Sequence, residues 1–442
     1  MLINKKIIFI IILISTIIGI VSTDYMISFL LIAIGISMVI LSRFKGESLI
    51  VIILIALNEN IFNLVGVNLS SLVAVLGIFL FVINLDNIIK KKYIFKKYVF
   101  TLILVCGLSQ LYATYKWGQP LIYGLFGMHY IFIYLYYFIF VNIFKKDKLK
   151  QIKDIIIILS SILCIIYFIQ YLIYPNFVIF KMNYAYRNGN VRFFSGYILI
   201  MFSIILIYSD LLFKFKFKLF ICLVVQILSL AIVSQTRNYI IGIFIVLMLG
   251  LILKNRKTNV LFLYFSLLII FIYITFFLDE KNYINNILNS VFSEFNSKSG
   301  TVGVRIDELS YYINLLKDNL LFGIGILDSR FLLTPIITGY VPYYYYVSDL
   351  GLFGVIIYTG LIGGIWLALF LYKIFKCSIN FLKFNDKYSY LMILTAIFIV
   401  ALFPSGLVFN KNAILYICIF ISMCEVNYKK IGDNYVNKKL FV

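Results

Sequence analysis

The chain has 442 residues, 63% of them hydrophobic and 13% charged, with a mean hydropathy of +1.04. Soluble domains hold roughly 45–50% apolar residues, so a water-soluble globule is excluded. Lipid tolerates backbone only where every N–H and C=O is paired, which excludes open sheets within the bilayer and predicts an all-α, polytopic integral membrane protein.

Runs of about 20 apolar residues cross about 30 Å of hydrocarbon as helices. Such runs fall near residues 7–22, 25–42, 48–66, 70–85, 97–114, 120–144, 154–174, 194–213, 218–234, 238–253, 260–278, 345–372, 388–405 and 411–426. They predict about 14 transmembrane helices in one membrane domain over residues 1–442. The first run follows MLINKK and is similar to a signal peptide, but no small-residue cleavage pattern comes after it, so it is read as the first span. The single histidine, His129, lies inside the sixth run, and its simplest reading is a hydrogen-bonded histidine between helices.

A formal net charge of +21 invites a nucleic-acid reading, so the placement of charge decides. With a cytoplasmic N-terminus and every run crossing, one side collects NKK, SRFK, KKKYIFKK, KKDKLKQIK, KFKFK, KNRK, KIFK with KFNDK, and the NYKK to NKK tail. The opposite side is close to neutral. That asymmetry is the positive-inside rule, places both termini in the cytoplasm, and needs no nucleic-acid partner. Cys106, Cys164, Cys222, Cys377, Cys418 and Cys424 form no CxxC pair, so neither a disulfide framework nor a metal site is expected.

Two outer segments exceed the roughly 12–15 residues beyond which a loop usually has a function. Residues 174–194 carry Lys181, Arg187 and Arg192 and no acid. Residues 279–344 contain Ile306, Leu309, Ile313, Leu316 and Leu320 at helical spacing, with Asp307, Glu308, Asn314 and Asp318 elsewhere on the wheel. An amphipathic helix over 305–321 is expected, with Asp307 and Glu308 in its first turn and GIGI (323–326) ending it. Between these segments stands SQTRNYIIG, where Arg237 has no acid within ten residues on either side. A guanidinium at membrane depth is costly without a partner, and its fork fits phosphate oxygens in a bidentate way. Arg237 is read as awaiting an anion, or else as snorkelling to headgroups or pairing with Glu59 or Asp349. For Arg187 and Arg192 the bland reading is a solvated loop.

Four stretches in order resemble elements of the O-antigen polymerase and O-antigen ligase family of bacterial envelope glycosyltransferases. They are RNGNVRFFSGY, SQTRNYIIGIFIVLMLGLIL, RIDELSYYINLLKDNLLFGIGI and YVSDLGLFGVIIYTGLIGG, together covering roughly residues 185 to 365. Each is a weak pattern alone, and the N-terminal third matches only in being hydrophobic. The subfamily that looks closest polymerises capsule, O-antigen or exopolysaccharide repeat units.

The resemblance implies a lipid-donor, GT-C-like glycosyltransferase of the bacterial cytoplasmic membrane. It would transfer a glycan from polyprenyl diphosphate to a sugar hydroxyl on a second lipid-linked unit, without metal or cofactor, with a chain-length regulator as a further partner. Carried over by position, Arg237 and Arg305 would hold the diphosphate, joined by Arg187 or Arg192. The family's ligases carry a histidine before the last of these elements, where this chain reads GYVPYYYYVSDLG. Asp349, Tyr340, Tyr344 and the rest of the Tyr343–Tyr346 run are then the acceptor-side candidates, with Glu59 a lesser one. The tyrosines fit sugar stacking or an interfacial belt equally, and Asp349 fits a helix cap. The alternatives are a ligase-type transferase to another acceptor, which would add a single unit, and a lipid-linked oligosaccharide flippase, which would hold its cations at mid-membrane.

Overall fold

The computed structural model describes residues 54–55, 69–144, 146–178, 184–187, 190–193, 196–253, 300–384, 387–402 and 406–439. The runs expected at 7–22, 25–42 and 260–278, most of 48–66, Glu59 and the first part of the 279–344 segment lie outside those residues. The described residues are mostly helical: α1 (Leu69–Ile83), α2 (Lys96–Trp117), α3 (Leu121–Gly127), a 3-10 turn (His129–Leu135) leading into α4 (Tyr136–Ile143), α5 (Lys146–Ile173), α6 (Tyr197–Phe213), α7 (Phe217–Leu228), α8 (Arg237–Leu253), α9 (Gly300–Lys317), α10 (Phe353–Leu382), α11 (Lys387–Ala401) and α12 (Lys411–Lys439). Every expected run from residue 70 onward, apart from 260–278, falls on a helix, although α10 begins eight residues after the start expected at residue 345.

Four described helices are long and apolar enough to cross a membrane: Lys96–Trp117, Leu149–Ile173, Phe217–Ser234 and Phe353–Leu382. A fifth crossing results if the pair Leu121–Gly127 and His129–Ile143, bent by 54°, counts as one. The break falls at Gly127–Met128, where His129 Nδ1 meets the Phe126 carbonyl.

Contacts between helix connections group them at two ends of the bundle. At one end the basic runs meet: Lys91 Nζ donates to Asn142 at 2.9 Å, and Lys429 Nζ to the Lys92 carbonyl at 2.9 Å. Lys153 pairs with Asp210 between α5 and α6 at the same end. The long loops occupy the other end, called the loop end below.

α12 forms the centre. Ala413 through Phe420 are inaccessible to solvent, packed by α4, α6 and α11. Lipid removes most of the hydrophobic drive between helices, so close packing and hydrogen bonds must hold them. The bonds are present: Tyr134 OH to the Val408 carbonyl at 2.7 Å, Ser160 Oγ to Ser203 Oγ at 2.6 Å and Gln226 Nε2 to Ser160 at 2.7 Å. Close packing shows at Gly242, where a Cβ would lie 2.3 Å from Leu402.

α10 is broken at Gly360, whose φ of 66° lies in the left-handed region. The break frees carbonyls, and the GIGI strand takes them: Ile324 N–H donates to Ile357 O at 2.9 Å and Gly325 N–H to Tyr358 O at 3.0 Å. Leu361 N–H returns to Leu320 O at 2.9 Å. Gly323 is required here, because a Cβ on it would sit 2.5 Å from the Ile357 carbonyl oxygen.

The described residues are not purely helical. The arginine-bearing outer segment folds as an antiparallel hairpin, β1 (Tyr184–Arg187) with β2 (Asn190–Phe193), pairing Tyr184 with Phe193 and Arg187 with Asn190. The exclusion of open sheets holds for lipid-exposed backbone, and this hairpin packs on the protein through Val191 and Phe193, the latter stacked on Tyr167.

Candidate functional site at the loop end

Arg237 is the first residue of α8. The chain reaches it through a π-helical turn, Ser229–Ser234, and through Gln235, a non-glycine residue with a φ of 51°. Insertions of this kind and strained residues of this kind collect at functional positions because surrounding structure must hold them there. Arg192, on β2, reaches across to the same turn: its Nε donates to the Ser234 carbonyl at 3.1 Å and its Nη2 to Thr236 Oγ1 at 3.5 Å. The structure therefore places the hairpin arginine against the residues that lead into Arg237. The positive end of α8 adds to that field and favours an anion. The side chains of Arg187 and Arg237 lie outside the described residues.

α9 differs from the expected helix in extent and in facing. It starts at Gly300 and ends at Lys317, so Asp307 and Glu308 fall beyond its first turn. The expected facing holds in part: Leu309 and Leu316 pack inward and Asp307, Asn314 and Asp318 are exposed, but Ile306 and Ile313 are 44% and 50% exposed, whereas Glu308 is 2% exposed and Tyr312 is fully buried. Polar partners explain the burial of Glu308 and Tyr312. Glu308 Oε1 accepts the Tyr346 N–H at 2.6 Å, Tyr312 OH donates to Thr338 O at 2.5 Å, and Tyr112 OH donates to Asn319 just past the helix at 3.0 Å. These bonds draw Glu308, Tyr312 and Asn319 in beside Leu309 and Leu316, and leave Ile306 and Ile313 outward.

Glu308 thereby comes beside Asp349, in the 3-10 turn Val347–Leu350, and lies one helical turn from Arg305, which is exposed. Burial pushes the Glu308 carboxyl up to about 7, aided by the nearby Asp349 charge and opposed by the Tyr346 N–H and Arg305. Asp349 makes no side-chain cap, because α10 starts at Phe353 behind Leu352, which carries no capping bond. The tyrosines form two neighbouring groups of rings on this loop, here called the platform. Tyr343 stacks on Tyr345 at 5.2 Å, Tyr311 meets Tyr345 at 5.6 Å, and Tyr340 contacts Tyr344 and Tyr346 at 5.6 and 5.4 Å. Tyr340 and Tyr344 are 40% and 69% exposed, so their ring faces are open.

The two patches share one end of the bundle. Gly406 lies against Gly351, and Leu402, four residues before it, packs on Gly242 near the start of α8. Arg305, Glu308, Asp349 and the tyrosines thus form one cluster, with Arg192 and the Arg237 turn as a second cluster at the same end.

Sequence reasoning missed Glu308 as a site residue, because it was read as an outward helix position, and missed Arg330. Arg330 grips Asp328 with two bonds, Nε to Oδ1 at 2.7 Å and Nη2 to Oδ2 at 3.0 Å, and lies over the Phe126 ring at 4.4 Å. The Arg330 hydrogen bonds hold the Asp328 carboxyl below the usual carboxylate range, with His129 adding a smaller effect. The i, i+2 acid–arginine spacing in LDSR was the available signal. Among the described residues no group of three metal-ligating side chains occurs. No protein-family model matches the chain, and a search of curated proteins finds no match.

Proposed function

We propose that the protein is a membrane glycosyltransferase that polymerises polyprenyl-diphosphate-linked oligosaccharide repeat units at the loop end of its helical bundle. The observation that carries this reading is the make-up of the loop end: Arg192 against the turn that leads into Arg237 on one patch, and Arg305 with exposed tyrosines and two carboxyls on the other. A diphosphate leaving group gains charge as its bond to the sugar breaks, and preorganised guanidinium groups stabilise that charge in a partly desolvated site. In this reading Arg237 and Arg305 hold the diphosphate, with Arg192 or Arg187 beside them. Tyr340 and Tyr344 offer ring faces to acceptor sugars, and α9 shields the reacting centre from water, which would otherwise compete as acceptor.

The test is Arg237→Ala and Arg305→Ala with the surface glycan run on a gel. Loss of long chains at normal protein level is expected; persistence of long chains removes the reading. One observation favours the flippase alternative: both the 121–143 pair and α10 are broken, as membrane helices at transport sites are. Reconstituted vesicles separate the two, because transfer joins repeat units and flipping only moves them.

A further inference from the structure

Glu308 is a carboxyl buried beside the tyrosines, and among the described residues no ion pair holds it. Its one hydrogen bond among the described residues is the Tyr346 N–H at 2.6 Å, which uses Oε1 alone. A buried carboxyl without a cation is costly, and a fold keeps one mainly where it does chemistry. The surroundings are mostly acids and tyrosines. From α9 itself come Arg305, Asp307, Tyr311 and Tyr312; from the facing loop come Tyr345, Tyr346 and Asp349; Tyr358 of α10 lies behind Tyr312. Arg305 is the single cation in that set, is exposed, and is the residue assigned to the diphosphate above.

We propose that Glu308 is the general base that takes the proton from the acceptor sugar hydroxyl, with Asp349 as the neighbouring carboxylate on the facing loop. The inference rests on the polymerase reading. The step balances without any further reagent. The acceptor oxygen forms a bond to the anomeric carbon of the donor while the bond from that carbon to the phosphate oxygen breaks. The electron pair leaves with polyprenyl diphosphate, and the hydroxyl proton moves to the Glu308 carboxylate, which returns it to water. A base near neutrality suits this work, because it is ionised often enough to accept and basic enough to pull. The placement also separates tasks: Arg305, three residues earlier on the same helix, faces the leaving group, while Glu308 faces the acceptor.

The experiment uses the full chain in proteoliposomes with one purified lipid-linked repeat unit, assayed from about pH 5.5 to about pH 8.5, a range that brackets the carboxyl. Glu308→Gln keeps an oxygen for the Tyr346 N–H and removes the base. The expected outcome is a wild-type rate that rises with pH through a midpoint of about 7, and a Gln variant slowed about 10²–10⁴-fold with no such rise. Its capture of labelled donor should be unchanged. Glu308→Asp should keep the pH-dependent limb at a reduced rate, which a packing role would not produce. Asp349→Asn should move the limb slightly to lower pH, since burial is the main cause of the raised Glu308 carboxyl and the Asp349 charge adds to it. A Gln variant that polymerises within about threefold of wild type, or keeps the pH limb, overturns the inference and leaves the polymerase reading standing. If wild-type protein makes no ladder at any pH, the polymerase reading fails and this inference falls with it.

Discussion

The two ends of the bundle handle buried charge in opposite ways. At the basic end, Lys153 and Asp210 are 5% and 10% exposed and are paired with each other. Glu425 there meets Lys429 at 2.7 Å, the Tyr137 hydroxyl and the Ile94 N–H. Each buried charge is matched by its opposite, as a low-dielectric interior demands. At the loop end, Glu308 is as deeply buried, yet its neighbours are another carboxylate, a set of tyrosines and one exposed cation, Arg305, with which it makes no ion pair among the described residues. Buried charge that is fully paired serves stability; buried charge left beside its like is available for chemistry, and the difference separates scaffold from site.

That contrast makes graded predictions. The largest effect belongs to the scaffold: Lys153→Met leaves Asp210 buried alone and should cost about 3–5 kcal/mol, whereas Lys153→Met with Asp210→Leu should recover most of it. Thermal unfolding in detergent reads this, and a double variant no better than the single would show that the pair is not what holds α5 to α6. Next comes Arg305→Ala, which should lower polymer formation about 10²–10³-fold while thermal stability stays at the wild-type value. A matching loss of stability would move Arg305 to the scaffold side of the comparison. The smallest is Arg192→Ala. It removes a partly exposed charge-assisted bond to the Ser234 carbonyl and should cost about 1.5 kcal/mol, read as a lower melting temperature together with faster proteolysis of the hairpin.

Much of the scaffold was legible in the sequence. Lipid imposes the helix and fixes its length, so composition alone locates α2, α5 and α7, and the runs of lysine mark the end where they gather. The breaks were not legible. Gly360 within GLIGG reads as one more small residue in a greasy run, and only the hydrogen bonds from Ile324 and Gly325 show that the helix opens there. The hairpin was hidden for another reason, since YAYRNGNVRF was read under a rule that applies only inside the bilayer. The site was half legible. Arginines stand out against an apolar background, so Arg192, Arg237 and Arg305 could be marked. Glu308 could not, because periodicity assigns carboxylates to the wet side of an amphipathic helix. Asp307, Asn314 and Asp318 keep to that rule, but the Tyr346 N–H takes Glu308 inward, while Ile306 and Ile313 face out.

The central claim is that the cationic and carboxylic patches of the loop end together join lipid-linked sugars. Reconstituting the purified chain with a single lipid-linked repeat unit, and with no other protein, tests it most directly. A ladder of integral multiples, accompanied by one released polyprenyl diphosphate per bond formed, is the predicted result. Repeat units that cross the bilayer yet stay monomeric, with no diphosphate released, would contradict it.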